Sequence, residues 1–129
     1  MKIIQEFLDG THLLRRLKVE VADSIESIQK GLMWKEKLDK DSGMLFIFPD
    51  TKQHSLWGRN TLIDLDVAFL DDHMKIIHID TIKSYDDTLV SSPCPCKYAI
   101  ETSKGYFNRN RISIGNKAFR DGEDVVFQK

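Results

Sequence analysis

The chain has 129 residues, 41% hydrophobic and 30% charged, with a formal net charge of −1. That balance excludes an intrinsically disordered chain, and the length suits one domain over residues 1–129 with a single core. It also leaves no global field toward nucleic acid or an anionic membrane surface.

No apolar run nears the roughly 20 residues of a spanning helix. The opening MKIIQEFLDG is too short in apolar residues for a secretion signal and is broken by Glu6 and Asp9. The expected compartment is therefore the cytoplasm, with no membrane contact.

Ile3 to Leu8 reads as a short strand, and Asp9-Gly10 as a hairpin turn. From Leu13 to Val21, Leu13, Leu17, Val19 and Val21 share one parity, and Arg16, Lys18 and Glu20 the other. Such alternation predicts a half-buried strand pairing with the first. Asp23 followed by Glu26 fits a helix-capping pattern, and Ile25, Ile28 and Leu32 fall on one helical face. These residues predict a helix over 24–36, weakened by Gly31 and followed by a turn at 39–43.

Met44 to Phe48 is apolar at every position, which predicts a central strand covered on both faces. His54 to Thr61 reads as a less regular strand, with Gly58 marking a bulge or a close backbone approach. Leu65 to Leu70 and Lys75 to Ile82 predict a hairpin around Asp71 to His73, and 85–95 predicts a loop. In Cys96 to Ser103, Tyr98 and Ile100 occupy one face and Lys97 and Glu101 the other. A helical turn near 105–110 and a last strand from Val125 to Gln128 complete the chain. The expected fold is α+β: a mainly antiparallel, curled sheet, barrel-like or a two-layer sandwich, with one main helix.

Several runs in serial order resemble one family. They are GLM at 31–33, GMLFIF at 43–48, WGRNT at 57–61, LDVAFLD at 65–71, Pro93-Cys94, and Tyr98-Ala-Ile-Glu101. Together with Gly115 and the strand at Asp124-Val125 they resemble the DUF192 family (also called UPF 0127), over roughly residues 17 to 127. The resemblance implies a compact, largely antiparallel β fold with one helix, but no function, since the family has none assigned. Family members often carry a secretion signal or anchor, which is not read here. Gly58 stands where the family usually has Met, and Arg59 where it has Lys. Arginine exchanges a point donor for a planar fork suited to carboxylate or phosphate.

The polar strip between the apolar runs at 44–48 and 65–70 is the expected binding segment. Arg59 could grip an anionic group while Trp57 offers a stacking face and Asn60 lies alongside. The bland alternative pairs Arg59 with Asp64 or Asp66, buries Trp57, and leaves Asn60 shaping a turn. Asp64 and Asp66, two apart, could form an acid–base pair or merely serve as structural acids.

Cys94 and Cys96 lie at the edge of disulfide reach, with roughly 7 Å between Cα atoms in an extended chain. Free thiols are the expectation in a reducing compartment. Their spacing fits neither zinc nor thioredoxin-type motifs, so no metal or cofactor is expected. A nucleophilic Cys94 would need His54, His73 or His78 brought beside it. His78, in an apolar strand, reads better as a hydrogen-bonded core or interface residue. Lys104 to Arg111 mixes cations and aromatics, yet a solvated turn is a better reading than nucleic-acid binding.

The expectation is a small non-enzymatic binding or accessory module recognising a small polar or anionic ligand through Trp57, Arg59 and Asn60, with Asp64 and Asp66 nearby. The alternatives are a hydrolytic enzyme using Asp64 or Asp66, or Cys94 with a histidine, and a protein–protein interaction module.

Overall fold

Period-two sequence becomes a strand with one wet face only where one side of the sheet stays uncovered, and this sheet leaves few such places. The computed structural model describes residues 13–129. The strand expected at 3–8 and the turn at 9–10 lie outside the described residues. In order, the elements are β1 (Leu13–Ala22), α1 (Ile25–Lys30), β2 (Ser42–Lys52), β3 (Ser55–Leu56), β4 (Leu65–Leu70) and β5 (Ile76–Ile82). They continue with β6 (Val90–Ser91), β7 (Cys96–Ser103), α2 (Tyr106–Arg109), β8 (Lys117–Asp121) and β9 (Asp124–Gln128).

Seven strands form one sheet in the order β5-β4-β7-β2-β1-β9-β8, and β3 pairs with β6 in a separate ribbon. The sheet is mixed, which corrects the mainly antiparallel expectation. β1 and β2 run parallel, from Lys18 opposite Ser42 to Ala22 opposite Phe46. Parallel neighbours need a long crossover, and residues 23–41 supply one that the short spacing of the other strands does not foretell.

The edges curl toward each other. Lys75 and Lys117 bridge β5 to β8, and Ile76 N donates to the Asn116 carbonyl at 2.9 Å. The result is a half-barrel, with β4, β7, β2, β1 and β9 in its interior.

The helix is minor. α1 has six residues, and Ser24, not Asp23, caps it: Ser24 and Ser27 exchange backbone and side-chain hydrogen bonds at 3.0 and 2.9 Å. Gly31 stops it in a positive-φ conformation (φ +49°) that glycine adopts without a Cβ penalty. The predicted helix to 36 therefore ends six residues early. The strand expected over 54–61 is only Ser55–Leu56; the rest is loop.

Apolar side chains fill both faces of the sheet. On one, Leu45, Ala68, Ile100 and Phe127 pack with Tyr106 and Phe107 of α2. On the other, Met44, Phe46, Val67 and Ala99 pack with Leu32 and Leu56, and partly with Ile28 and Val90. The second face carries the opening described next. Among the described residues no helix is long and apolar enough to cross a membrane.

Candidate functional site

Three connections meet over the second face: α1 with the turn after it, the loop after β3, and the loop joining β5 to β6. Backbone hydrogen bonds lace them together. Trp34 N donates to the Asn60 carbonyl at 2.9 Å, Gly58 N to Asp86 at 2.8 Å, and Tyr85 N to Thr61 at 3.1 Å. Gly58 is the close approach its position suggested, since a Cβ there would stand 1.8 Å from the Lys83 carbonyl oxygen. Asn60 adopts a left-handed conformation (φ +56°), which asparagine tolerates better than most residues.

Between these loops and the sheet lies a cleft of about 470 Å³, within the range of small-molecule sites. Ile28, Leu32, Met33, Phe46, Leu56 and Leu89 supply much of its apolar wall, and Trp57, Arg59, Thr61, Lys30 and Glu101 also line it.

Trp57 and Arg59 are thus brought together on one wall, the guanidinium carbon 4.2 Å from the Trp57 ring centroid. Arg59 does not pair with Asp64 or Asp66. It grips Asp87 with two hydrogen bonds of 3.1 and 3.0 Å, which hold the Asp87 carboxyl below its ordinary range. Half the Arg59 side chain remains exposed, and so does more than half of Asp87. Exposed pairs of this kind contribute little to stability. Trp57 is half-buried rather than part of the core.

Asn60 serves as a tie between the walls: its carbonyl takes the Trp34 N–H, and its amide approaches the Met33 sulfur at 4.0 Å.

Asp64 and Asp66 form no pair. Asp64 precedes β4 and accepts the Ser84 N–H at 2.9 Å, a bond that lowers its pKa. Asp66 lies inside β4 between Leu65 and Val67, so strand alternation turns it to the α2 face, away from the cleft. There Gly105 N and the Thr81 hydroxyl donate to it at 2.9 and 3.3 Å.

The thiols and histidines are equally occupied or remote. Cys94 is exposed and Cys96 buried, both free. Burial pushes the Cys96 thiol up, against weaker opposing hydrogen bonds from Ser92 and the His54 backbone. A buried protonated thiol is a poor nucleophile. His54 stacks on Phe48 at 3.8 Å between centroids, and its ring lies 2.9 Å from the Asp50 carbonyl. His78 lies 3.3 Å from Asp80, and His73 is exposed. Among the described residues no three His, Cys, Asp or Glu side chains gather in a metal-binding group. Tyr106 and Phe107, the aromatics of the basic segment, are buried at 0% and 1% exposure.

Glu101 is the cleft residue that sequence alternation misplaced. Alternation puts it on one face with Lys97, opposite Tyr98 and Ile100, yet it is 4% exposed. β7 is hydrogen-bonded between β4 and β2 and covered on both faces, so it has no wet side. Cross-strand partners Met44 and Val67 flank the carboxyl. A Cβ on Gly31 would touch both Phe46 (3.3 Å) and the Glu101 Oε1 (3.8 Å), which places the acid directly beneath the helix-ending turn. Among the described residues no hydrogen bond or ion pair reaches its carboxyl, whose oxygens are not sealed off from the cleft. Burial alone pushes its pKa up to about 8, because ionising an unpaired carboxyl away from water is costly. The available signal was an acid directly following Ala99-Ile100, in the strand that pairs with two apolar runs.

A family model described as "Uncharacterized ACR, COG1430" (DUF192) matches residues 6–118. Two solved structures are similar. A protein of unknown function from Novosphingobium aromaticivorans is 28% identical with a TM-score of 0.76, over 78% of this chain and 73% of that one. A putative transcription regulator from Sinorhizobium meliloti is 26% identical with a TM-score of 0.78, over 91% and 90%. No curated protein matches.

Proposed function

The chain belongs to the DUF192 family, and we propose that it works as a small-molecule binding module without chemistry of its own. The ligand has a compact apolar body that fills the cleft and an anionic group that takes Arg59 from Asp87. The observation carrying this reading is the cleft itself, with Trp57 and a half-exposed Arg59 on one wall. The indole offers a flat surface for an unsaturated body, and the planar fork of Arg59 suits a carboxylate or phosphate.

A hydrolytic reading has less support. Asp64 and Asp66 face different surroundings, and no thiol lies among the cleft residues. The name of the Sinorhizobium relative raises nucleic-acid binding. Burial of Tyr106 and Phe107 leaves the cations of 104–111 without exposed aromatics between them.

The test is a titration of isotope-labelled protein with benzoate and phenyl phosphate, read by NMR. The expected result is perturbation of the Trp57 indole and the Arg59 side chain, lost in Arg59→Ala. Perturbation that is equal in both proteins, or absent from both, would overturn the anionic part of the reading.

A further inference from the structure

We propose that Glu101 is the cleft's cation-recognising group, so that the ligand carries a basic nitrogen held against this carboxyl in addition to the anionic group at Arg59. The proposal rests on the cleft being a ligand site, as argued above, and adds the chemical class of what enters it: an amphoteric molecule with an apolar body.

Two geometric facts carry it. Glu101 is 96% removed from solvent, and it opens on the cleft without a partner among the described residues. Buried carboxyls in folded proteins are normally hydrogen-bonded. The same sheet meets that rule for Asp66, which receives two donors. The neighbours of Glu101 are otherwise the apolar side chains of Met44 on β2 and Val67 on β4, and the aromatic side chains of Phe46 and Trp57 line the same cleft. A carboxyl among aromatic rings in an apolar recess is the combination that holds an organic ammonium. The charged side chains sharing the cleft are Lys30 and Arg59. Neither forms an ion pair with Glu101, and Arg59 is held by Asp87.

The proton balance follows. In the empty cleft near neutral pH the carboxyl is protonated, since burial pushes it up to about 8. An incoming alkylammonium keeps its own proton and pairs with the carboxylate, and the Glu101 proton leaves to the buffer. Binding therefore releases up to one proton in mildly acid solution and progressively less above the pKa of the empty site. A neutral hydrogen-bonding ligand would release none.

The experiment uses calorimetry on the full chain with three probes: 4-(aminomethyl)benzoate, which carries both charges, benzylamine, and benzoate. Each is titrated at about pH 6.5 and about pH 9 in buffers of different ionisation enthalpy, which separates proton release from binding heat. Benzylamine and 4-(aminomethyl)benzoate are expected to bind with release of nearly one proton at the lower pH and little at the higher. Glu101→Gln, close in shape to the protonated acid, is expected to lose about ten-fold or more in affinity for both amines and to abolish the release.

Benzoate binding without amine binding would overturn this inference and leave the Arg59 reading standing. Benzylamine binding with proton release, alongside affinities for benzoate and 4-(aminomethyl)benzoate that ignore Arg59→Ala, would support it while overturning the anionic reading. Amine binding with no proton release in the wild type would overturn it without reference to any variant.

Discussion

Two buried acids on neighbouring strands face opposite sides of one sheet, and their surroundings could hardly differ more. Asp66 sits on the α2 side, where Gly105 N and the Thr81 hydroxyl donate to it. Glu101 sits on the α1 side, where Gly31 covers it and no donor reaches it among the described residues. Burial is common to both and so does not separate structure from function. What separates them is whether the fold supplies the partner. Asp66 anchors the turn into α2, whereas Glu101 is left for something that enters the cleft.

The largest expected effect concerns Glu101. Its folded pKa, about 8, stands above the ordinary 4.5, so the folded chain binds more protons than the unfolded chain between those values. The contribution of this group to stability is then fully present below about pH 4.5. It falls as pH rises, by about 1.4 kcal/mol per unit, until the folded form itself ionises. Urea denaturation of Glu101→Gln against wild type should give similar stability near pH 5. The variant should be more stable by a few kcal/mol near pH 9. Parallel curves at both pH values would erase the contrast between the two acids.

Asp66→Ala should act the other way. It strands the Gly105 N–H and the Thr81 hydroxyl and is expected to cost about 1.5–3 kcal/mol at neutral pH. A loss much smaller than this, measured by the same denaturation curves, would make Asp66 as dispensable to the fold as Glu101. The smallest effect belongs to Arg59→Ala. Its exposed pair with Asp87 contributes little, so the denaturation midpoint should not move, and a clear drop would show the pair to be structural.

The sequence made the scaffold legible wherever one physical rule dominated. Met44 to Phe48 and Leu65 to Leu70 read as interior strands because they are apolar on both parities, and both are interior. The parallel pairing of β1 and β2 was not legible, because the crossover over 23–41 holds only a six-residue helix. That stretch reads as a local helix and turn rather than as a link between parallel neighbours.

At the cleft, the Trp57–Arg59 wall was readable from an isolated polar strip. The partner of Arg59 was not: Asp87 lies 28 residues on, and only the lacing of Gly58 and Thr61 to the following loop brings it close. Glu101 was hidden because alternation implies a wet face that β7 does not have.

The most direct measurement is the titration of the Glu101 side-chain carboxyl by carbon-detected NMR, in the free protein and with benzylamine present. The expected midpoint is pushed up to about 8 in the free protein and is lower once the amine occupies the cleft. A free-protein midpoint at the ordinary glutamate value, unmoved by the amine, would contradict it.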